Sequence, residues 1–194
     1  MAIDPSQFHP HNVTDTCAVW NVLSSRILYS RARDAGCDFC ITRFVLYECL
    51  HKPRQISNQA ELRLQKRLEQ ERNLGRFKDY SLDIVDLQDV HIMEKRQRLS
   101  KGELVSIAFA KKTRQAFMTD DQKARKLGHS ELTPNMVQTT PHLFGWLFFI
   151  GRLSDGEKHA IIEEHHSFGR PLAKYFEQMY GRALQYRLTG GSIR

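Results

Sequence analysis

The chain has 194 residues, 41% of them hydrophobic and 26% charged, a balance that suits one folded domain and excludes both a disordered tail and two well-cored domains. Lys and Arg number 29 against 22 Asp and Glu, for a net charge of +7 and a pI near 9.4, which excludes an acidic solvating protein and favours a polyanionic partner. Four cysteines and no leading signal peptide point to a reducing, cytoplasmic setting, and the most apolar run, 143–153, is too short to cross a bilayer and carries Arg152.

In chain order, short strands alternate with helices, and no repeat, low-complexity tract or Gly/Ser linker divides them. Residues 13–16 predict a first strand, and 17–33 a helix, with Val19, Val22, Leu23 and Ile27 at helical spacing. DFCIT (38–42) reads as a second strand and 44–51 as a short helix stopped by Pro53. A charged helix over 58–73 precedes a third strand at LDIVDL (82–87) and helices at 90–99 and 103–112. A fourth strand is expected at 116–119, a helix at 121–127, and a fifth strand at 136–140. From His142 onward the pattern is helical throughout: 143–153, 157–166 and 171–188. The last has Leu172, Phe176, Met179 and Ala183 on one face and Pro171 suited to a first turn. About fifty residues make a meagre core alone, so 142–194 is expected to pack as a helical extension on a domain formed by 1–141.

Strands separated by helices imply an α/β fold with a parallel sheet covered on both faces, whose functional crevice lies beyond the carboxyl ends of the strands. Asp15 and Asp120 each directly follow a strand-like run. Glu48 lies in the helix FVLYECLHK, among Phe44, Val45, Leu46 and Leu50, and Glu103 follows Gly102 at the start of KGELVSIAFAKK. Gathered in one crevice, four carboxylates repel and raise one another's pKa values. Hard divalent cations relieve that repulsion, and oxygen-only ligation suits Mg²⁺ or Mn²⁺. Beside a phosphodiester such ions ionise a water and steady the leaving oxygen. Taken singly, each acid is more often a cap, a turn residue or a solvated charge; the set carries the chemistry.

Three segments, VTDTCAVWNVL around Asp15, RFVLYECL around Glu48, and LSKGELVSIAFAKKTRQAFMTDDQKARKLG, together resemble the PIN-domain nuclease family. The resemblance covers roughly 12–128, and its last block is the most specific: a Gly-Glu helix start, then a strand ending in Asp-Asp before a basic helix. It implies a three-layer fold around a central parallel sheet and a metal-dependent endonuclease, usually acting on RNA, in which Mg²⁺ or Mn²⁺ activates a water. Such proteins are often the toxin half of a toxin–antitoxin pair. By motif, Asp15, Glu48, Glu103 and Asp120 are the expected catalytic metal carboxylates. Asp121 is a fifth candidate that also reads as a helix N-cap, and Thr16 and Thr119 are expected to hydrogen-bond the site. Ser100 stands where relatives commonly carry an Asp shortly before the Gly-Glu, which leaves the number of ions open.

With four carboxylates taken up by metal, 29 basic residues face 18 remaining acids, and many of the bases flank the proposed site: Lys95, Arg96, Arg98, Lys101, Lys111, Lys112, Arg114, Lys123, Arg125 and Lys126. Of these, Lys101, Lys111, Lys112, Arg114, Lys123 and Arg125 are the expected phosphate contacts. RNA is the expected partner, with DNA, an antitoxin-like protein and a second copy of the chain left open. Competing readings on the same fold are a catalytically silent RNA-binding or scaffold protein, a nuclease acting on DNA, and an interaction protein docking through its helical tail. Cys37 and Cys40, with Cys49 and His51 beyond them, read as reduced thiols rather than a zinc site, since no second CxxC exists. His159, Glu163 and His166 read as a solvated helix face, and Trp20 and Trp146 as core. A dehalogenase-like phosphatase needs a second Asp where Cys17 stands, and a receiver domain needs an acidic pair near the first strand that is missing.

Overall fold

The computed structural model describes residues 4–53, 58–83, 90 and 99–190. Five strands form one parallel sheet: β1 (His11–Thr14), β2 (Asp38–Thr42), β3 (Asp79–Tyr80), β4 (Ala116–Met118) and β5 (Val137–Gln138), in the order β3-β2-β1-β4-β5. Val13 stands in register with both Cys40 and Phe117, and the three share one buried cluster; the alternate strand residues Phe39, Ile41 and Met118 belong to another. That two-residue alternation is the pleat at work: each face of the sheet carries its own core.

Nine helices accompany the sheet among the described residues. One face is covered by α5 (Lys101–Thr113) and α6 (Gln122–Glu131), through Leu104, Ile107, Ala124 and Leu127. On the other lie α1 (Thr16–Ser24), α2 (Arg26–Asp34), α4 (Gln59–Asn73), α7 (Thr140–Phe149), α8 (Asp155–Ser167) and α9 (Ala173–Leu188), while α3 (Arg43–Leu50) follows β2 directly. The result is helix, sheet, helix. Leu143, Phe144, Ile161 and Phe176 of the last three helices bury into the same cluster as Val19, Val22 and Leu28 of the first two. The approach of α9 to α7 is close: a Cβ on Gly145 would lie 3.1 Å from the Met179 Cβ and 3.3 Å from its carbonyl oxygen. No helix among the described residues is long and apolar enough to cross a membrane.

The predicted helix over 17–33 is two helices. Ser25 ends α1 in an extended conformation and caps α2, its hydroxyl accepting from the Leu28 amide at 3.0 Å. Ser24 meanwhile donates to the Trp20 carbonyl at 2.7 Å. Hydroxyls that bond the nearby backbone compete with continued helix, and an apolar repeat does not register them. The third strand is Asp79–Tyr80, paired with Ile41 and Thr42, ahead of the run expected at 82–87; of that run only Leu82 and Asp83 are described, neither in a strand. The helix expected over 90–99 lies outside the described residues except at Val90 and Leu99, as do Lys95, Arg96 and Arg98. Pro171 precedes α9 instead of opening it, and Pro141 occupies the first turn of α7.

Candidate functional site

Parallel strands followed by helices bring four chain segments to one edge. Asp15 closes β1 and caps α1, one carboxylate oxygen accepting from the Ala18 amide at 2.7 Å and the other from the Thr119 hydroxyl. It is 1% exposed. Burial pushes its carboxyl up to about 8; the bonds from Thr119 and Ala18 oppose this, and the charges of Asp120 and Glu103 add to it.

Asp120 follows β4 and ties three elements together. It accepts from the Asn21 side-chain amide of α1 at 2.8 Å, and from the Thr140 hydroxyl and amide of α7 at 2.6 and 2.9 Å. Asp121 caps α6, accepting from the Lys123 and Ala124 amides at 2.7 and 2.9 Å. Glu48, on α3, accepts from the Thr16 hydroxyl at 2.5 Å. The start of α5 passes so near that a Cβ on Gly102 would fall 2.5 Å from Glu48 Oε2. Glu103 reaches back to the Ser100 amide at 2.8 Å, completing a capping box in which its own amide donates to Ser100. Burial raises the Glu103 carboxyl, with Asp121 and Glu48 adding to the rise.

The five acids therefore share one electrostatic neighbourhood, and each already accepts a hydrogen bond from the protein. The N-termini of α1, α5, α6 and α7 open on it, and their partial positive charge offsets part of the acids' repulsion. As the side chains stand, no three His, Cys, Asp or Glu among the described residues are grouped to hold a metal ion. The donor chemistry nonetheless fits a hard cation: carboxylates and threonine hydroxyls. The neighbouring Cys17 thiol is pushed up to about 12 by burial and by Asp15 and Asp120, which keeps it neutral.

The basic residues divide. Lys101, Lys123 and Arg125 lie on the first turns of α5 and α6, at the acidic edge. Lys111, Lys112 and Arg114 stand at the far end of α5, ~12 Å along its axis from Glu103. Lys111 pairs there with Glu131 at 3.0 Å and Lys112 with Asp83 at 2.9 Å, while Arg114 ends the helix in a left-handed conformation. Sequence reasoning passed over Asn21 and Thr140, the two residues that hold Asp120. The signals were present: a lone amide in the apolar helix TCAVWNVLS, and the Thr-Thr-Pro at the end of β5.

Burial pushes Cys37 and Cys40 up to about 12, as neutral thiols. His159, Glu163 and His166 are exposed on α8. Trp20 is buried, and Trp146 stacks on Phe8 at 5.2 Å between ring centroids. No known family pattern, curated protein or solved structure matches this chain.

Proposed function

We propose that the chain is a PIN-like endonuclease that hydrolyses RNA with the help of Mg²⁺ or Mn²⁺, held by Asp15, Glu48, Glu103 and Asp120. One observation carries the reading: carboxylates from four separate segments share one electrostatic neighbourhood at the carboxyl edge of a parallel sheet, where burial and the charges of Asp120 and Glu103 raise the Asp15 carboxyl. A divalent ion bound there supplies Lewis acidity, which lowers the pKa of water and offsets charge on a leaving oxygen.

The chain's own residues do the positioning. Thr119 and the α1 amides hold Asp15, Asn21 and Thr140 hold Asp120, and Gly102 leaves room for Glu48. Lys101, Lys123 and Arg125 attract the phosphodiester toward an acidic centre it would otherwise avoid. The test is a cleavage assay of wild type and Asp15→Asn on mixed RNA and DNA, with and without Mn²⁺. Cleavage that needs Mn²⁺ and disappears in Asp15→Asn supports the reading; cleavage that survives chelation or the substitution overturns it.

A second reading has its own support, because every one of these acids already accepts a hydrogen bond from the protein and two of them, Asp15 and Glu103, cap helices. On that reading the protein is a silent RNA-binding or scaffold protein, and it would bind RNA tightly while never cutting it in Mn²⁺. A toxin role adds a separate expectation: growth arrest on expression, relieved by a small partner protein.

A further inference from the structure

Beside Asp120 the surface opens into a cleft of about 290 Å³, bounded by Arg125 of α6, Pro141 at the start of α7, and Tyr175, Gln178, Met179 and Arg182 of α9. Its volume is at the small end of ligand-sized sites. One wall comes from the part of the chain that carries the acids, and the other from the C-terminal helical extension. The close approach of α9 to α7 at Gly145 fixes the distance between them.

The lining is mixed in a particular way. Pro141, Leu172 and Met179 are apolar, Arg125 and Arg182 are cationic, and Asp120 closes the end nearest the sheet. The Arg125 Nε is buried and donates to nothing among the described residues, an unmet donor on a guanidinium already suited to an oxyanion. Tyr175 is 52% exposed on the rim, and among the described residues its ring meets no other ring and its hydroxyl bonds no other side chain. An exposed aromatic beside two guanidinium groups is the equipment for one splayed base and its flanking phosphates. A base inside a duplex offers no face to such a ring.

We propose that this cleft seats one unstacked nucleotide of single-stranded RNA, the neighbour of the bond cut at the acidic site. Tyr175 stacks on its base, and Arg125 and Arg182 take the phosphates. The inference rests on the nuclease reading for the position of the cut, though not for the binding itself. The C-terminal helices thereby gain a role, because α9 supplies half of the substrate site and the acids act only on a strand laid between α6 and α9.

The experiment measures binding and cleavage separately. Binding of a fluorescent single-stranded oligoribonucleotide, of its duplex and of the matching DNA is followed by anisotropy without divalent ions, in wild type, Tyr175→Ala, Tyr175→Phe and Arg182→Ala. Circular dichroism checks that each variant is folded. Tyr175→Ala is expected to weaken single-strand binding about tenfold, with Tyr175→Phe restoring it and the duplex affinity unmoved. Arg182→Ala is expected to weaken binding and flatten its salt dependence by about one counterion. Photocrosslinking of a 4-thiouridine strand is expected to label the peptide containing Tyr175. Variants that bind as wild type does, or a crosslink that maps away from α9, overturn the cleft. The same variants are then given Mn²⁺: a strand that stays uncut by wild type, while Tyr175→Ala still loses affinity, supports the cleft and overturns the nuclease reading alone.

Discussion

The two aspartates and the two glutamates of the acidic edge are held in different ways. Asp15 and Asp120 sit at strand ends, and each is gripped by donors from more than one element: Ala18 and Thr119 for the first, Asn21 and Thr140 for the second. Glu48 and Glu103 are half-buried helix residues on longer side chains, one receiving the Thr16 hydroxyl and the other serving its own helix cap. The aspartates are a fixed half and the glutamates an adjustable one. A cation site made from both would close by turning the glutamates, exchanging their hydrogen bonds from Thr16 and Ser100 for coordination.

The largest effect should come from the fixed half. Asp15→Asn or Asp120→Asn is expected to lower Mn²⁺-dependent cleavage by about a thousandfold or more, with circular dichroism unchanged. Equal activity in either variant would end the distinction, because the gripped carboxylates would then be structural only.

The adjustable half is open to subtler tests. Gly102→Ala puts a methyl into the space of the Glu48 carboxylate. It should cost about a hundredfold in cleavage, as a displacement of roughly 1 Å at a reacting centre does, while Tm moves by only a few degrees because Glu48 swings outward. Glu103→Gln separates cap from ligand, since Gln also completes a capping box. Thermal stability should hold and cleavage fall about tenfold; a loss of stability with activity intact would make Glu103 a cap alone.

A pH titration probes what stands behind the aspartates. His165 places a ring nitrogen 2.8 Å from the carbonyl of Asn21, the residue that donates to Asp120, and His142 lies on α7 just after Thr140. Burial lowers both histidines below the ordinary 6.5. The unfolded chain therefore takes up these protons first as pH falls. The stability of the neutral rings is complete above about pH 6.5 and is lost progressively below it. The Asp15 carboxyl, raised to about 8, works in the opposite sense over the same range, so the histidines show in the difference. On going from pH 7 to 5 the His142→Gln, His165→Gln double variant should gain Tm relative to wild type, and an identical pH response in the two proteins would assign the acid sensitivity elsewhere.

The smallest effects separate the two ends of α5 and its neighbour α6. Lys123→Ala, at the acidic edge, should weaken RNA binding a few-fold and reduce its salt dependence by about one counterion. Lys111→Ala, already paired with Glu131, should change affinity less than twofold.

Much of this edge was legible in the sequence, for physical reasons. DFCIT became β2 with its expected bounds because an apolar run lies between the Gly36 turn and Thr42, which caps α3. Asp15 and Asp120 follow strand-like runs, and a parallel sheet delivers strand ends to one side. The misses have causes as well. The Ser25 break depends on two hydroxyls bonding backbone, which apolar spacing cannot register. Asn21 and Thr140 reach Asp120 across 99 and 20 residues, so no local pattern joins them. Lys111 and Lys112 are near Glu103 in sequence, yet they stand at the other end of α5, because a helix carries its two ends to opposite edges of the sheet.

The central claim is that Asp15, Glu48, Glu103 and Asp120 form one divalent-cation site, and the most direct test is Mn²⁺ binding itself, followed by calorimetry or by loss of the free-ion electron paramagnetic resonance signal. Wild type should bind Mn²⁺ saturably, with binding lost in Asp15→Asn and in Asp120→Asn. A wild type that takes up no Mn²⁺, or variants that bind it equally well, would contradict the account.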